Sequence, residues 1–170
     1  MARVLRFIPL LIFIGLGSVF YVQLDKNSQY VPSALIGKTV PGFTLVDLYS
    51  DELIHKADLP KSPYIINFWG TWCPACHIEH PFLVELAKQG VTIIGIDYKD
   101  EAVAAKQWLE EKQNPYQRVL MDELGNFGLD LGVTGAPESF IVNDQGVITY
   151  RHQGVINASN WQEIKRYLNE

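Results

Sequence analysis

The stretch Ile65-Ile66-Asn67-Phe68-Trp69-Gly70-Thr71-Trp72-Cys73-Pro74-Ala75-Cys76 decides how the chain is read, and it holds both of its cysteines. Its first half is a short apolar run of the kind that forms a buried strand, and Gly70-Thr71 supplies a turn. Pro74 suits the first position of a helix, where its missing N–H has no intrahelical duty. Cys73 then falls at or just before a helix N-terminus, where unpaired N–H groups and the positive end of the helix dipole favour an exposed thiolate. Cys76 lies three residues on, on the same side and one turn deeper.

Three chemistries compete for the pair. As a structural staple it is weak, because closing so short a loop removes only roughly 2 kcal/mol of unfolded-state entropy. Cys73-Pro74-Ala75-Cys76-His77 also satisfies the Cys-x-x-Cys-His pattern of haem attachment. The only downstream methionine that could serve as an axial ligand is Met121, in a stretch that reads as sheet edge or turn. Zinc held by Cys73, Cys76, His77 and His80 would need neighbouring ligands on little more than one helical turn to surround a tetrahedral ion. Thiol–disulfide exchange fits best, as two successive exchanges in which Cys73 attacks and Cys76 resolves, and it requires neither cofactor nor metal.

Working outward, the 170 residues suffice for one globular domain with a core of its own. Phe7 to Leu24 carries no charge and as a helix would reach ~27 Å, about the hydrocarbon thickness of a bilayer. No small-residue cleavage site follows it, so an uncleaved anchor is expected rather than a signal peptide. Arg3 and Arg6 precede it and hold the N-terminus in the cytoplasm. The expected organisation is an anchor over 1–24, a polar tether over 25–34 and an exported domain over 35–170. The formal net charge of -5 becomes more acidic still without those arginines, which disfavours nucleic acid as a partner.

Strand-like and helix-like segments alternate through the exported part. Strands are expected at Phe43–Leu48, Tyr64–Phe68 and Val91–Ile96, the last a central parallel strand because it is apolar throughout. A helix from Pro74 to about Gln89 should turn Ile78, Phe82 and Leu86 inward and kink at Pro81. A second helix, capped by Asp100, should bury Ala105, Trp108 and Leu109. Asn126–Leu131 reads as a helical turn between Gly125 and Gly132. Ser139–Asn143 and Val147–His152 flank Asp144-Gln145-Gly146, a hairpin signal. Ser159 and Gln162 suggest a capping box for a last helix presenting Trp161, Ile164 and Leu168. The order β-α-β-α-(insert)-β-β-α predicts an α/β fold with a mixed sheet covered by helices.

The chain resembles the thioredoxin superfamily, and within it the membrane-anchored CcmG/DsbE proteins of cytochrome c maturation. The matching residues are the N-terminal anchor, Asn67 to Cys76, Glu79-His80, Asp97-Tyr98-Lys99-Asp100, Gly132-Val133-Thr134-Gly135-Ala136-Pro137-Glu138-Ser139-Phe140 and Tyr150-Arg151-His152. The resemblance implies a thioredoxin-like fold with an N-terminal strand extension and a central insert. It implies a cis-proline at Pro137 facing the cysteines, with Ala136 offering backbone groups to an extended partner segment. Thioredoxins commonly bury an Asp where this chain has Asn67, and here the carboxylate moves to Glu79, on the same helix face as Cys76. Glu79 would raise the Cys76 pKa and relay its proton. Glu138 and Asp97 are further acidic candidates, and Trp72 a contact surface beside the cysteine turn. His77 is uncommitted, though it could modulate Cys76.

Pro-Ala between the cysteines adds no cation to stabilise the Cys73 thiolate, which favours a reducing couple. The family's role is then a reductant in the periplasm, held on the bacterial inner membrane. Its implied substrate is the disulfide of an apocytochrome c haem-attachment motif, or a mixed disulfide made by a companion. A transmembrane thiol reductant of the DsbD or CcdA type would recharge it. The alternatives are a broader anchored thioredoxin for other exported disulfides, or a haem or metal carrier using Cys73, Cys76 and His77.

Overall fold

The computed structural model of the chain describes residues 8–24 and 35–169, which fall into two separate compact units. In the first, Ile8–Leu24 forms helix α1, without a charged residue. Ile12, Phe13, Ile14, Leu16 and Val19 are among its exposed apolar side chains, and Ser18 Oγ donates to Ile14 O. Among the described residues no helix is long and apolar enough to cross a membrane. Arg3, Arg6 and the tether expected over 25–34 lie outside the described residues.

The second unit is a seven-stranded mixed sheet with the order β2-β1-β5-β4-β3-β6-β7. The strands are β1 (Thr44–Asp47), β2 (Leu53–His55), β3 (Tyr64–Trp69), β4 (Ile93–Tyr98), β5 (Arg118–Asp122), β6 (Glu138–Val142) and β7 (Ile148–Gln153). β4 runs parallel to both β3 and β5, while β6 and β7 continue antiparallel beyond β3. The parallel strands are buried on both faces, which is why Ile93, Ile94 and Ile96 follow one another with so little polar relief. The Asp144-Gln145-Gly146 turn joins β6 to β7 as expected, with Gly146 at φ 73°.

Helix α2 (Pro74–Lys88) follows β3, α3 (Ala102–Lys112) follows β4, and α4 (Asn126–Leu131) follows β5. The last helix, α5 (Trp161–Ile164), continues as a 3-10 turn over Lys165–Asn169. Leu83 and Leu86 of α2, Ala105, Trp108 and Leu109 of α3, and Trp161 and Ile164 of α5 share one apolar cluster with Trp69, Cys73 and Cys76. Phe127 and Leu131 of α4 join the other cluster, with Phe68, Ile96 and Phe140. The mixed sheet covered by helices is therefore present, with the cysteines in the first of its two cores.

Four local expectations change. The stretch read as an insert contains β5, a full strand within the sheet that carries Met121, and β2 pairs with β1 as a hairpin on its flank. Both are short, and Val119-Leu120-Met121 between Arg118 and Asp122 is too brief to show a period. On α2 the buried face is Cys76, Glu79, His80, Leu83, Val84 and Leu86, while Ile78 is 72% exposed. The polar pair Glu79 and His80 takes the inward positions because each finds partners there, which an apolar periodicity cannot reveal. At α5 the Ser159–Gln162 box does not form. Asn157 Oδ1 instead accepts from the backbone N–H groups of Ser159 and Asn160. Asp100 does not cap α3 either, since its carboxylate reaches toward the cysteine turn.

Candidate active site

β3 ends at Trp69, and the chain turns through Gly70, Thr71 and Trp72 into α2. Cys73 is the N-cap of that helix and Pro74 occupies its first turn. Cys73 and Cys76 are joined by a disulfide, and Cys73 Sγ accepts a hydrogen bond from Cys76 N at 3.1 Å. The helix N-terminus thus already points a backbone N–H at the sulfur expected to become a thiolate. In this disulfide form Cys73 is only 1% and Cys76 3% exposed, so the exposed position expected for Cys73 is not seen. The bonded sulfurs face into the apolar cluster, against which Ala75 and Ala136 pack.

The turn is pinned at several atoms. Cys73 N donates to Gly70 O at 3.2 Å, and His77 Nε2 donates to Thr71 O at 3.0 Å. Trp72 is 51% exposed, yet its Nε1 donates to Tyr98 O at 3.0 Å, so its indole is fixed at the surface beside the disulfide. Gly70 is required by that placement, because a Cβ there would come within 2.4 Å of Trp72 Nε1.

Behind the disulfide lies a buried polar network. Glu79 accepts from Asn67 Nδ2 at 3.0 Å with Oε2 and from Ile156 N at 2.7 Å with Oε1. Asn67 Nδ2 also donates to Ser139 Oγ at 3.0 Å, and its Oδ1 accepts from Tyr116 OH at 3.0 Å. Burial pushes the Glu79 carboxyl up to about 7, against the lowering effect of its two hydrogen bonds. It can therefore gain or lose a proton near neutrality, one helical step from Cys76. Burial likewise holds Tyr116 well above the usual tyrosine value, assisted by the charges of Glu79 and Asp97. Asn67 does not merely stand where thioredoxins carry an acid. It orients the replacement, and an amide alone in the apolar run of β3 was the signal for that.

Ala136–Pro137 is a cis peptide bond, as the resemblance implied. The loop around it is braced from the sheet. Glu138 accepts from Thr134 N at 3.0 Å and from Thr134 Oγ1, and forms a buried ion pair with Arg151. Arg151 Nη2 also donates to Gly132 O at 2.9 Å. Glu138 is committed to this brace. Sequence reasoning did not assign Arg151. Asp97 lies fully buried at the end of β4, beside Trp69 in register. Cys73, Cys76, Glu79, Pro137, Trp72 and Asp97 thus cluster about the β3–α2 turn and the ends of β4 and β6. Among the described residues no group of three or more His, Cys, Asp or Glu is placed to hold a metal ion. His80 Nε2 donates to Gln113 O at 2.7 Å.

The family model described as Redoxin matches residues 35–168. A thiol:disulfide interchange protein DsbE of Vibrio cholerae is 49% identical over 176 residues, covering 100% of this chain and 96% of that protein. The DsbE of Escherichia coli K12 is 42% identical over 170 residues, covering 96% of this chain and 92% of its own length. In fold, a thio-disulfide isomerase from Thermus thermophilus superposes with a TM-score of 0.66 at 22% identity, over 78% of this chain and 96% of that one.

Proposed function

Because this chain belongs to the Redoxin family and, within the thioredoxin superfamily, to the CcmG/DsbE thiol:disulfide oxidoreductases, we propose that it reduces disulfides of apocytochrome c haem-attachment motifs outside the cytoplasm. The observation that carries the exchange chemistry is the Cys73–Cys76 disulfide at the head of α2, with an amide N–H aimed at Cys73 Sγ and Glu79 buried one helical step behind Cys76.

In the reduced protein the Cys73 thiolate attacks one sulfur of the substrate disulfide and the other leaves as a thiolate. The resulting mixed disulfide is resolved when Cys76, its proton taken by Glu79, attacks Cys73 Sγ. The substrate departs as a dithiol, two electrons richer, and the protein is left as the disulfide described above. Trp72 and the Ala136–Pro137 edge flank the place where an extended segment would lie. The oxidised pair is then reduced by a transmembrane thiol reductant of the DsbD or CcdA type.

Residues 1–24 serve as the anchor and 25–34 as the tether, holding the domain over 35–170 on the periplasmic face of the inner membrane. The uncharged run Phe7–Leu24, most of which forms helix α1, is the sequence feature that supports this reading. Alkaline extraction of membranes checks it: the full chain should stay with the bilayer.

The decisive experiment is a Cys76→Ala trap in a cell making c-type cytochromes. Mixed disulfides through Cys73 to proteins bearing Cys-x-x-Cys-His motifs, or to their maturation companions, are expected. Capture only of proteins unrelated to such motifs would refute the cytochrome assignment. A redox titration decides direction, since a couple as oxidising as about -120 mV could not reduce cytochrome precursors.

A further inference from the structure

Asp97 is 0% exposed, and among the described residues neither of its oxygens meets a hydrogen-bond donor. A carboxylate so placed is costly, so the group must carry a proton or find a partner. Its register neighbours, Trp69 on β3 and Met121 on β5, offer no compensating charge. The side chain within reach is Asp100. Lys99 between them adopts a left-handed conformation, φ 53°, that folds the chain back on itself. Asp100 accepts from Thr71 N with Oδ2 and from Glu101 N with Oδ1. Since Asp100 already accepts from two amides, a hydrogen bond between the two acids needs its proton on Asp97.

We propose that Asp97 donates a hydrogen bond to Asp100 and through it holds the Thr71–Trp72 turn that delivers Cys73, which makes Asp97 a positioning residue of thiol–disulfide exchange. Asp100 is the clamp on Thr71 N, while His77 and Tyr98 secure Thr71 O and the Trp72 indole from other sides. The Asp97 proton lets two carboxyl groups occupy one spot without repulsion. Burial first, then the charges of Asp100 and Glu123, push Asp97 up to about 8. Tyr116 is the other titratable group that senses it, and it stays protonated through this range. When the Asp97 proton leaves, two carboxylates face each other, the grip on Thr71 N loosens, and negative charge collects on the cysteine face of the sheet. Exchange should slow.

The inference rests on Cys73–Cys76 being an exchanging pair. The test is the rate at which dithiothreitol reduces the oxidised full-length chain between pH 6 and 9.5, for wild type, Asp97→Ala and Asp97→Asn. Taking variant-to-wild-type ratios at each pH cancels the titration of the reagent and of Glu79, common to all three proteins. Asp97→Ala should be slower at pH 6–7 by roughly three- to tenfold, the scale of one modest hydrogen bond. Asp97→Asn keeps a donor that cannot titrate, so it should recover most of that loss and outpace wild type above pH 8.5. A flat Asn-to-wild-type ratio over the whole range overturns the proposal, as does an alanine variant as fast as wild type at pH 7. Should the alanine variant not fold, the asparagine ratio alone decides. If the pair does not exchange at all, wild type itself resists reduction, an outcome distinct from equal rates in every protein.

Discussion

Glu79 receives one hydrogen bond on each carboxylate oxygen and still sits near neutrality, because removal from water outweighs two donors. The folded protein holds the Glu79 proton to about 7, against the usual 4.5, so the native state binds more protons between those values. Its contribution to stability is therefore complete below about 4.5 and is lost as pH rises to about 7. Glu79→Gln removes that dependence. Urea titrations from pH 4.5 to 8 should show wild type losing ground to the glutamine variant by up to a few kcal/mol. A difference that stays constant with pH would mean that Glu79 is ionised throughout. In function, the same substitution should slow release of the mixed disulfide while sparing its formation, which quenched-flow trapping resolves.

Among the elements, α2 and the loop before β6 carry the sharpest tests. The buried face of α2 is set by Leu83 and Leu86 and not by Ile78. Leu86→Ala should cost about 2–5 kcal/mol, whereas Ile78→Ala should stay within about 0.5 kcal/mol in denaturant titrations. The loop over 132–138 depends on Arg151, whose guanidinium binds Glu138 and Gly132 O together. Arg151→Ala leaves Glu138 buried beside no cation, and should destabilise the domain by about 3–5 kcal/mol. Arg151→Lys should recover only part of this, because an ammonium lacks the planar fork that serves two acceptors at once. Thermal melts of the three proteins rank them.

At the scale of the whole molecule, buried acids and buried histidines set opposite slopes of stability with pH. Burial lowers His80 and His152, so their contribution is present above the usual 6.5 and is lost as pH falls below it. Glu79 and Asp97, raised to about 7 and about 8, act the other way and lose their contribution as pH rises. From pH 6.5 upward the histidine gain fades while the acids still change, so the oxidised chain should lose stability on approach to pH 8. A flat or rising profile in that window, read from urea midpoints, would contradict the burial of these carboxyl groups.

The chain order alone determined the strand, turn and helix around Cys73, the β6–β7 hairpin and the inward side of α3. Each is written in neighbouring residues: an apolar run, a proline at a helix start, a two-sided turn, a helical period. Tertiary structure decided what depends on residues far apart in the chain. The partners of Glu79 are at 67 and 156, those of Glu138 at 134 and 151, and the clamp on Thr71 comes from Asp100. Short β5 became a strand only because β4 and β1 pair with it on either side. A polar side chain turns inward where distant chain supplies its hydrogen bonds, and local periodicity contains no trace of those donors and acceptors.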